Sequence, residues 1–274
     1  MAKTKSSNDD QELEERNEVG DMIMEAETTK TIVISGVSRG LGRALALEFA
    51  KLGHTIIGCG RDKIKLDSLR LQLSNASPRN HLLFNLDVKS NDSIREMAHT
   101  VEKKFGSIDI IVNNAGVFHD TLKFWEIGSE MLNDVIDINI KGVANVLRHF
   151  IPLMLPKNKG IIVNMSSLYG RIGAPKASVY CNSKWAIEGL SKSIAKEVPN
   201  GMTIVTLDPG VINTDMCAYY LGHLASQYQS PHEWALKATP MILNITRADN
   251  GTTFTVPDPG VLPDSCFQSH EKEI

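Results

Sequence analysis

The stretch Thr31-Ile-Val-Ile-Ser35-Gly36-Val37-Ser38-Arg39-Gly40-Leu41-Gly42, followed by the helical pattern from Arg43 to Ala50, decides the fold. A short β-branched run enters a glycine-rich turn, and apolar residues at helical spacing leave it. That order places backbone N–H groups at a helix N-terminus, where they can approach a pyrophosphate. The glycines follow G-x-x-x-G-x-G, not the more common G-x-G-x-x-G. Glycines also serve ordinary turns, so the nucleotide reading rests on their place between a first strand and a first helix. The residues expected to cradle the cofactor here are Gly36, Ser38, Arg39, Gly40, Leu41 and Gly42.

Working outward, β-branched runs recur at 54–59, 81–86, 108–112, 160–165 and 202–207. Helical patterns fall between them, at about 41–52, 62–74, 90–105, 127–154 and 178–197. Strands alternating with helices predict a parallel sheet covered on both faces, and right-handed crossovers make it doubly wound. Residues 217–229 show no clean period. Ser230-Pro-His-Glu233 then reads as a helix start, with a hydroxyl cap, proline at the first position and Glu at the third, and the helix runs to about 246. A last strand at 252–256 brings the sheet to about seven strands in one Rossmann-type α/β domain, expected over 31–256. Residues 1–30 read as an acidic disordered tail, open to a partner-binding or regulatory role, and 257–274 as a loose extension.

Composition excludes more than it identifies. The 274 residues carry 29 basic and 32 acidic side chains, and nine of the acidic ones lie in the first thirty residues against four basic. The rest of the chain is therefore +2, without the concentrated basic excess of a nucleic-acid binder. The four cysteines, Cys59, Cys181, Cys217 and Cys266, lack the spacing of a disulfide framework or a zinc site. The best apolar run, 142–155, is broken by Arg148 and His149, so no membrane span is expected. The N-terminus has neither a signal core nor the basic character of a transit peptide. The expectation is a soluble cytoplasmic protein without metal, nucleic acid or membrane partners.

The second strand selects the cofactor. An NAD site carries an acidic residue at its end to hold the ribose 2′-OH. Here that end reads Ile57-Gly-Cys-Gly60-Arg61-Asp62, with Gly60 at the acidic position and Arg61 next to it. Arg39 projects from the glycine loop nearby. Two guanidinium groups beside one sugar suit a 2′-phosphate, so NADPH is expected, although Asp62 could be the acid displaced by one residue.

Tyr180-Cys-Asn-Ser-Lys184 supplies the chemistry. Residues four apart share a helix face, so the ammonium lies near the phenol and can lower its pKa. A bare Y-x-x-x-K is usually a surface pair, and its surroundings decide the matter. Ser167 ends the fifth strand, Asn113-Asn-Ala-Gly116 follows the fourth, Asn139 lies on the next helix, and Pro209-Gly-Val-Ile-Asn-Thr214 follows the sixth. All lie toward the strand carboxyl ends, where doubly wound sheets bind ligands.

In that order the motifs resemble the short-chain dehydrogenase/reductase family, from Thr31 to about Val256. The resemblance implies an oxidoreductase acting on CH–OH and C=O groups. It implies Ser167 as the hydroxyl that orients the carbonyl, Tyr180 as general acid, and Lys184 as the residue that tunes Tyr180 and bonds the nicotinamide ribose. Asn139 would hold a relay water. Asp87 and Val88 would meet adenine, Asn113 the adenosine ribose side, and Thr214 the carboxamide. Ala115, Gly116, Pro209, Gly210 and Val211 would line the cofactor, and a homo-oligomer, dimer or tetramer, would form on the helices at 127–154 and 178–197. A narrower resemblance is carried by 142–156, 184–189, 231–235 and 249–251. It points to the family's plant branch of NADPH-dependent reductases of pterin aldehydes, and so to folate salvage.

Phe118, Trp125, Tyr169, Met216, Tyr219 and Tyr220 are candidates for a flat apolar slot that would stack a planar ring. Trp125 and Tyr219 suit packing or a mobile loop equally well. His119 and Asp120 could meet a polar heterocycle edge or simply face water. Other aldehydes, ketones or alcohols, and a non-catalytic NADPH-binding regulatory role, remain the competing readings.

Overall fold

In a computed structural model, residues 29–119 and 122–257 are described. The expected tails fall almost wholly outside them, as do Asp120 and Cys266. The chain opens with β1 (Thr31–Ser35), α1 (Gly40–Lys51), β2 (Thr55–Gly60), α2 (Lys63–Ala76) and β3 (Leu82–Asn85). It continues with α3 (Asn91–Phe105), β4 (Ile110–Asn113), α4 (Ser129–Ile136) and α5 (Val143–Met154). The remainder is β5 (Gly160–Met165), α6 (Ser178–Ile194), β6 (Met202–Asp208), α7 (Asp215–Leu221), α8 (Pro231–Leu243) and β7 (Thr253–Thr255).

The seven strands form one sheet in the order β3-β2-β1-β4-β5-β6-β7, and every pair is parallel. Because side chains alternate across a strand, each strand feeds two apolar layers. Ile32 and Ile34 of β1 join Phe49, Leu69 and Trp234 of α1, α2 and α8 on one face. Val33 joins Ile94, Val101, Phe150 and Ile187 of α3, α5 and α6 on the other. The chain reverses direction across the sheet between β1 and β4, which opens a crevice beyond their carboxyl ends.

Two elements differ from the sequence expectation. The single helix expected over 127–154 is interrupted by a π-helical turn, Asp137–Gly142, between α4 and α5. The extra residue shifts the apolar stripe by about 100° within a single turn, and the stretches on either side are too short for periodicity to register the break. The stretch without a period contains α7, extended by a 3-10 segment, Gly222–Gln227. No residue of α7 is buried, so it has no stripe to detect. Its readable signal is the Thr214 cap, whose Oγ1 accepts from Cys217 N at 3.2 Å.

Candidate active site

The glycine loop is held from below by β4. Asn114 Nδ2 donates to the carbonyls of Ser35 at 2.9 Å and Gly36 at 3.1 Å. In return, Ser35 Oγ accepts from the backbone N–H groups of Asn114 and Ala115, both at 3.0 Å. Gly36 and Gly40 adopt φ of +75° and +59°, which favour glycine. A Cβ at Gly42 would meet Gly36 O at 2.5 Å and also strike Asn114 Nδ2. Gly42 thus packs beneath the loop and does not face the cleft. Above it, the N-terminus of α1 has no side-chain cap and no acidic residue in its first turn. Such an end presents unpaired N–H groups and positive dipole to an anion.

This loop borders a cavity of about 470 Å³, also lined by Arg61, Asp87, Val88, Ala115, Gly116, Tyr180, Lys184, Pro209 and Thr214. Arg39 and Arg61 both reach it, each beside a carboxylate. Arg39 Nη1 lies 2.9 Å from Asp215 and Arg61 Nη1 3.6 Å from Asp87. Lys65, which the sequence reading passed over, is a third cation on the same wall. Asp62 caps α2, its Oδ1 accepting from Lys65 N at 3.0 Å. At Gly60 an added Cβ would stand 3.3 Å from Ser38 Cβ. The end of β2 therefore offers little room for a side chain, and Arg39, Arg61 and Lys65 stand around it, each beside a carboxylate, Asp62 lying 3.7 Å from Lys65. A loop that only glycine fits, an open helix end and three cations suit a dinucleotide bearing an extra phosphate.

Asn113 departs from its expected place. Its side chain is buried inside the sheet and donates to Asn164 Oδ1 at 2.8 Å, because alternation turns Asn114 rather than Asn113 toward the loop. Gly210 and Val211 also stand apart from this cavity. They line a second one of about 530 Å³, with Ser167, Tyr169, Tyr180, Phe118, Met216 and Tyr220 among its walls. Trp125 and Tyr219 line neither cavity and are 79% and 62% exposed. Trp125 lies under the Lys123 ammonium, 5.7 Å from the ring centroid. His119 faces Asp134, Nε2 to Oδ2 at 3.1 Å, away from both cavities.

The two cavities meet at Tyr180, which lines both. Its ring touches Phe118 edge-on at a centroid distance of 4.9 Å, and Phe118 in turn touches Tyr220 at 5.2 Å. The Ser167 hydroxyl stands on the same cavity wall as the phenol. Burial pushes the Tyr180 pKa above the ordinary tyrosine value, with the Ser167 hydroxyl opposing and the Asp208 carboxylate reinforcing the rise. The i, i+4 spacing predicts that Lys184 lowers this value, whereas the lowering influence here comes from Ser167. The reason is visible at Lys184, which is buried and donates from Nζ to Met165 O at 2.9 Å. Its Nζ stands 5.4 Å from the Tyr180 ring centroid. Burial lowers its own pKa to about 8, partly offset by Asp208.

Asn139, in the π-helical turn, is buried beneath this pair. Its Oδ1 accepts from Val117 N at 2.8 Å, and its Nδ2 donates to Val117 O at 3.0 Å and Ser183 Oγ at 3.1 Å. It lines neither cavity directly. One group behind the site was not anticipated. Glu188, one turn beyond Lys184 on α6, is buried and accepts from Ser166 Oγ at 2.6 Å, Thr206 Oγ1 at 2.9 Å and Thr253 Oγ1 at 2.8 Å. It ties the helix carrying Tyr180 to three strands, including the end of β5 that precedes Ser167.

A sequence profile of the short chain dehydrogenase family matches residues 30–222. The NADPH-dependent pterin aldehyde reductase of Arabidopsis thaliana is 59% identical over 227 residues, covering 83% of this chain and 93% of that protein. A 3-oxoacyl-(acyl-carrier-protein) reductase of Thermotoga maritima is 36% identical over 188 residues, covering 68% and 76%. Among solved structures, a short chain dehydrogenase from Shigella flexneri complexed with NADP superposes with a TM-score of 0.78. It is 25% identical, with 83% of this chain and 96% of that one covered.

Proposed function

The chain belongs to the short chain dehydrogenase family, and from that premise we propose that it reduces a pterin aldehyde to the hydroxymethyl pterin with NADPH. The observation that carries this reading is the position of Tyr180, on the wall shared by a cleft suited to a phosphorylated dinucleotide and a cavity lined by aromatic rings. The 59% identity to a pterin aldehyde reductase supports the substrate.

The α1 N-terminus and Ser38 would hold the pyrophosphate, Arg39, Arg61 and Lys65 the 2′-phosphate, and Asp87 and Val88 the adenine. Thr214 and Pro209, which line both cavities, would meet the nicotinamide. When bound, NADPH supplies the hydride that reduces the carbonyl carbon. Ser167 and Tyr180, on the walls of the same cavity, orient the carbonyl oxygen between their two hydroxyls. Tyr180, protonated throughout the neutral range, gives its proton to that oxygen as negative charge develops there. Lys184, which donates to Met165 O, would hold the cofactor ribose and return a proton to Tyr180, with the π-helical turn of Asn139 as the place for a relay water.

The catalytic unit is residues 31–256. It works in the cytoplasm as a salvage step for folate-derived pterins, and as a dimer or tetramer through the α4–α5 run and α6, where Trp185 is 53% exposed. Among the described residues no helix is long and apolar enough to cross a membrane. The test follows NADPH absorbance across a carbonyl panel that includes a formylpterin. Expected is preferential turnover of the pterin with NADPH. Equal or better turnover with NADH would overturn the roles of Arg39 and Arg61, and NADPH binding without turnover of any carbonyl would favour a regulatory protein.

A further inference from the structure

Among the described residues, the charged side chains on the walls of the aromatic cavity are the pair Arg171 and Asp208. Asp208 ends β6 and is 4% exposed. Burying a carboxylate is costly unless it is paired and hydrogen-bonded. Both of its oxygens have a fixed partner. Oδ2 accepts from Arg171 Nη2 at 2.5 Å, and Oδ1 accepts from the Gly210 N–H at 3.0 Å. Arg171 is held in turn from behind, its Nη1 3.8 Å from Glu188 Oε1, and Glu188 is fixed by the three hydroxyls of Ser166, Thr206 and Thr253. A chain of buried and half-buried contacts, from β6, β7 and the residue after β5, thus ends in one carboxylate at the edge of the cavity.

An ionised carboxylate has about four lone-pair directions. Two of these are occupied by Arg171 and Gly210, which leaves one acceptor direction on each oxygen. Two acceptors on one carboxylate, in a slot walled largely by aromatic and aliphatic side chains, match a planar ligand that presents two adjacent N–H donors along one edge. A 2-amino-4-oxo-pyrimidine ring carries that edge, in its exocyclic amine and ring N–H. In a formylpterin the edge lies on the ring opposite the one bearing the aldehyde, and Ser167 and Tyr180 stand on the walls of the same cavity.

We propose that Asp208, positioned by Arg171 and the Gly210 N–H, is the substrate-recognition residue that accepts paired N–H donors from the heterocycle, while the edge-packed rings of Phe118 and Tyr220 wall the slot beside it. This rests on the pterin aldehyde reading above and names the group that selects the ring. Apolar walls distinguish flat rings poorly, whereas a buried acceptor left unpaired disfavours a ring without donors.

The experiment compares kcat/KM for a formylpterin with kcat/KM for naphthaldehyde, which is flat and has no ring donor, in the wild type and in Asp208→Asn. Asparagine keeps an acceptor for Gly210 and replaces the second acceptor with a donor. The ratio of the two values is independent of how much of the variant is folded. Expected is a fall in the pterin-to-naphthaldehyde ratio of roughly 10- to 100-fold, the range for a hydrogen bond to a charged group. The pterin KM should carry most of it. An unchanged ratio, with both substrates losing equally or neither losing, would overturn Asp208 as the recognition group. A wild-type enzyme that turns over naphthaldehyde but not formylpterin would instead overturn the substrate reading, and the inference with it.

Discussion

The two halves of the cleft are built from different kinds of information. The cofactor half is centred on backbone, a glycine loop between β1 and α1 whose turn is written in residues close together in sequence and is braced by Asn114. The substrate half is assembled from side chains far apart, including Phe118 after β4, Tyr169 after β5, Tyr220 on α7 and the β6 carboxylate Asp208. Local spacing makes the first half legible, while the second depends on which distant loops fold over the same sheet edge. Tyr180 belongs to both, which is why its role is clear from Tyr180 and Lys184 while the ring it faces is not.

The largest expected effect breaks the joint between the halves. Tyr180→Phe removes the proton donor and keeps the ring contacts with Phe118 and Tyr169, so turnover should fall about 10²–10⁴-fold, with NADPH binding by fluorescence retained. Near-full turnover would end the assignment. Next comes a change confined to the cofactor half. Gly42→Ala places a methyl 2.5 Å from Gly36 O, and overpacking of about 1–3 kcal/mol corresponds to NADPH binding weakened roughly 5- to 150-fold. Titration calorimetry that shows unaltered affinity would mean the loop is less constrained than its contacts indicate.

A smaller effect comes from pH. Lys184 in the cofactor-free enzyme loses its proton at about 8, whereas burial keeps the Tyr180 phenol protonated beyond its ordinary range. The reductive kcat/KM, which reports the free enzyme, should therefore decline as pH rises through about 8, through loss of the ammonium rather than of the phenol. Stability has the opposite slope there. Because unfolded Lys184 titrates at its ordinary value of 10.5, the unfolded chain binds more protons between about 8 and 10.5, and this residue contributes stability that grows with pH across that window. A kcat/KM profile with no inflection from neutrality to pH of about 9 would separate Lys184 from the chemistry. The smallest effect is expected at Trp125. Since it lines neither cavity, Trp125→Ala should leave kcat/KM within about twofold, as surface changes generally cost little. A tenfold loss would show that the segment around it closes on the substrate.

What was legible divides along the same line. The doubly wound sheet follows from strands and helices each carrying its own period, and Ser167, Tyr180 and Lys184 follow from their places at strand ends and on one helix. Asn113 was misplaced by one residue because the two adjacent asparagines are chemically alike, and only strand alternation separates the one in the core from the one under the loop. Lys65 was missed because a lysine in the first turn of a helix resembles any solvated residue until the fold brings it to the cleft. Trp125 and Tyr219 looked like ring-stacking residues on composition alone, which carries no direction. The network of Glu188, Arg171 and Asp208 joins residues up to 37 positions apart and has no spacing of its own to detect.

The account stands most directly on where the hydride goes. NADPH carrying deuterium at the donating nicotinamide carbon should be oxidised in step with formylpterin, and mass spectrometry should find one deuterium on the new hydroxymethyl carbon. A product without label, or oxidation of NADPH that leaves the aldehyde untouched, would contradict it.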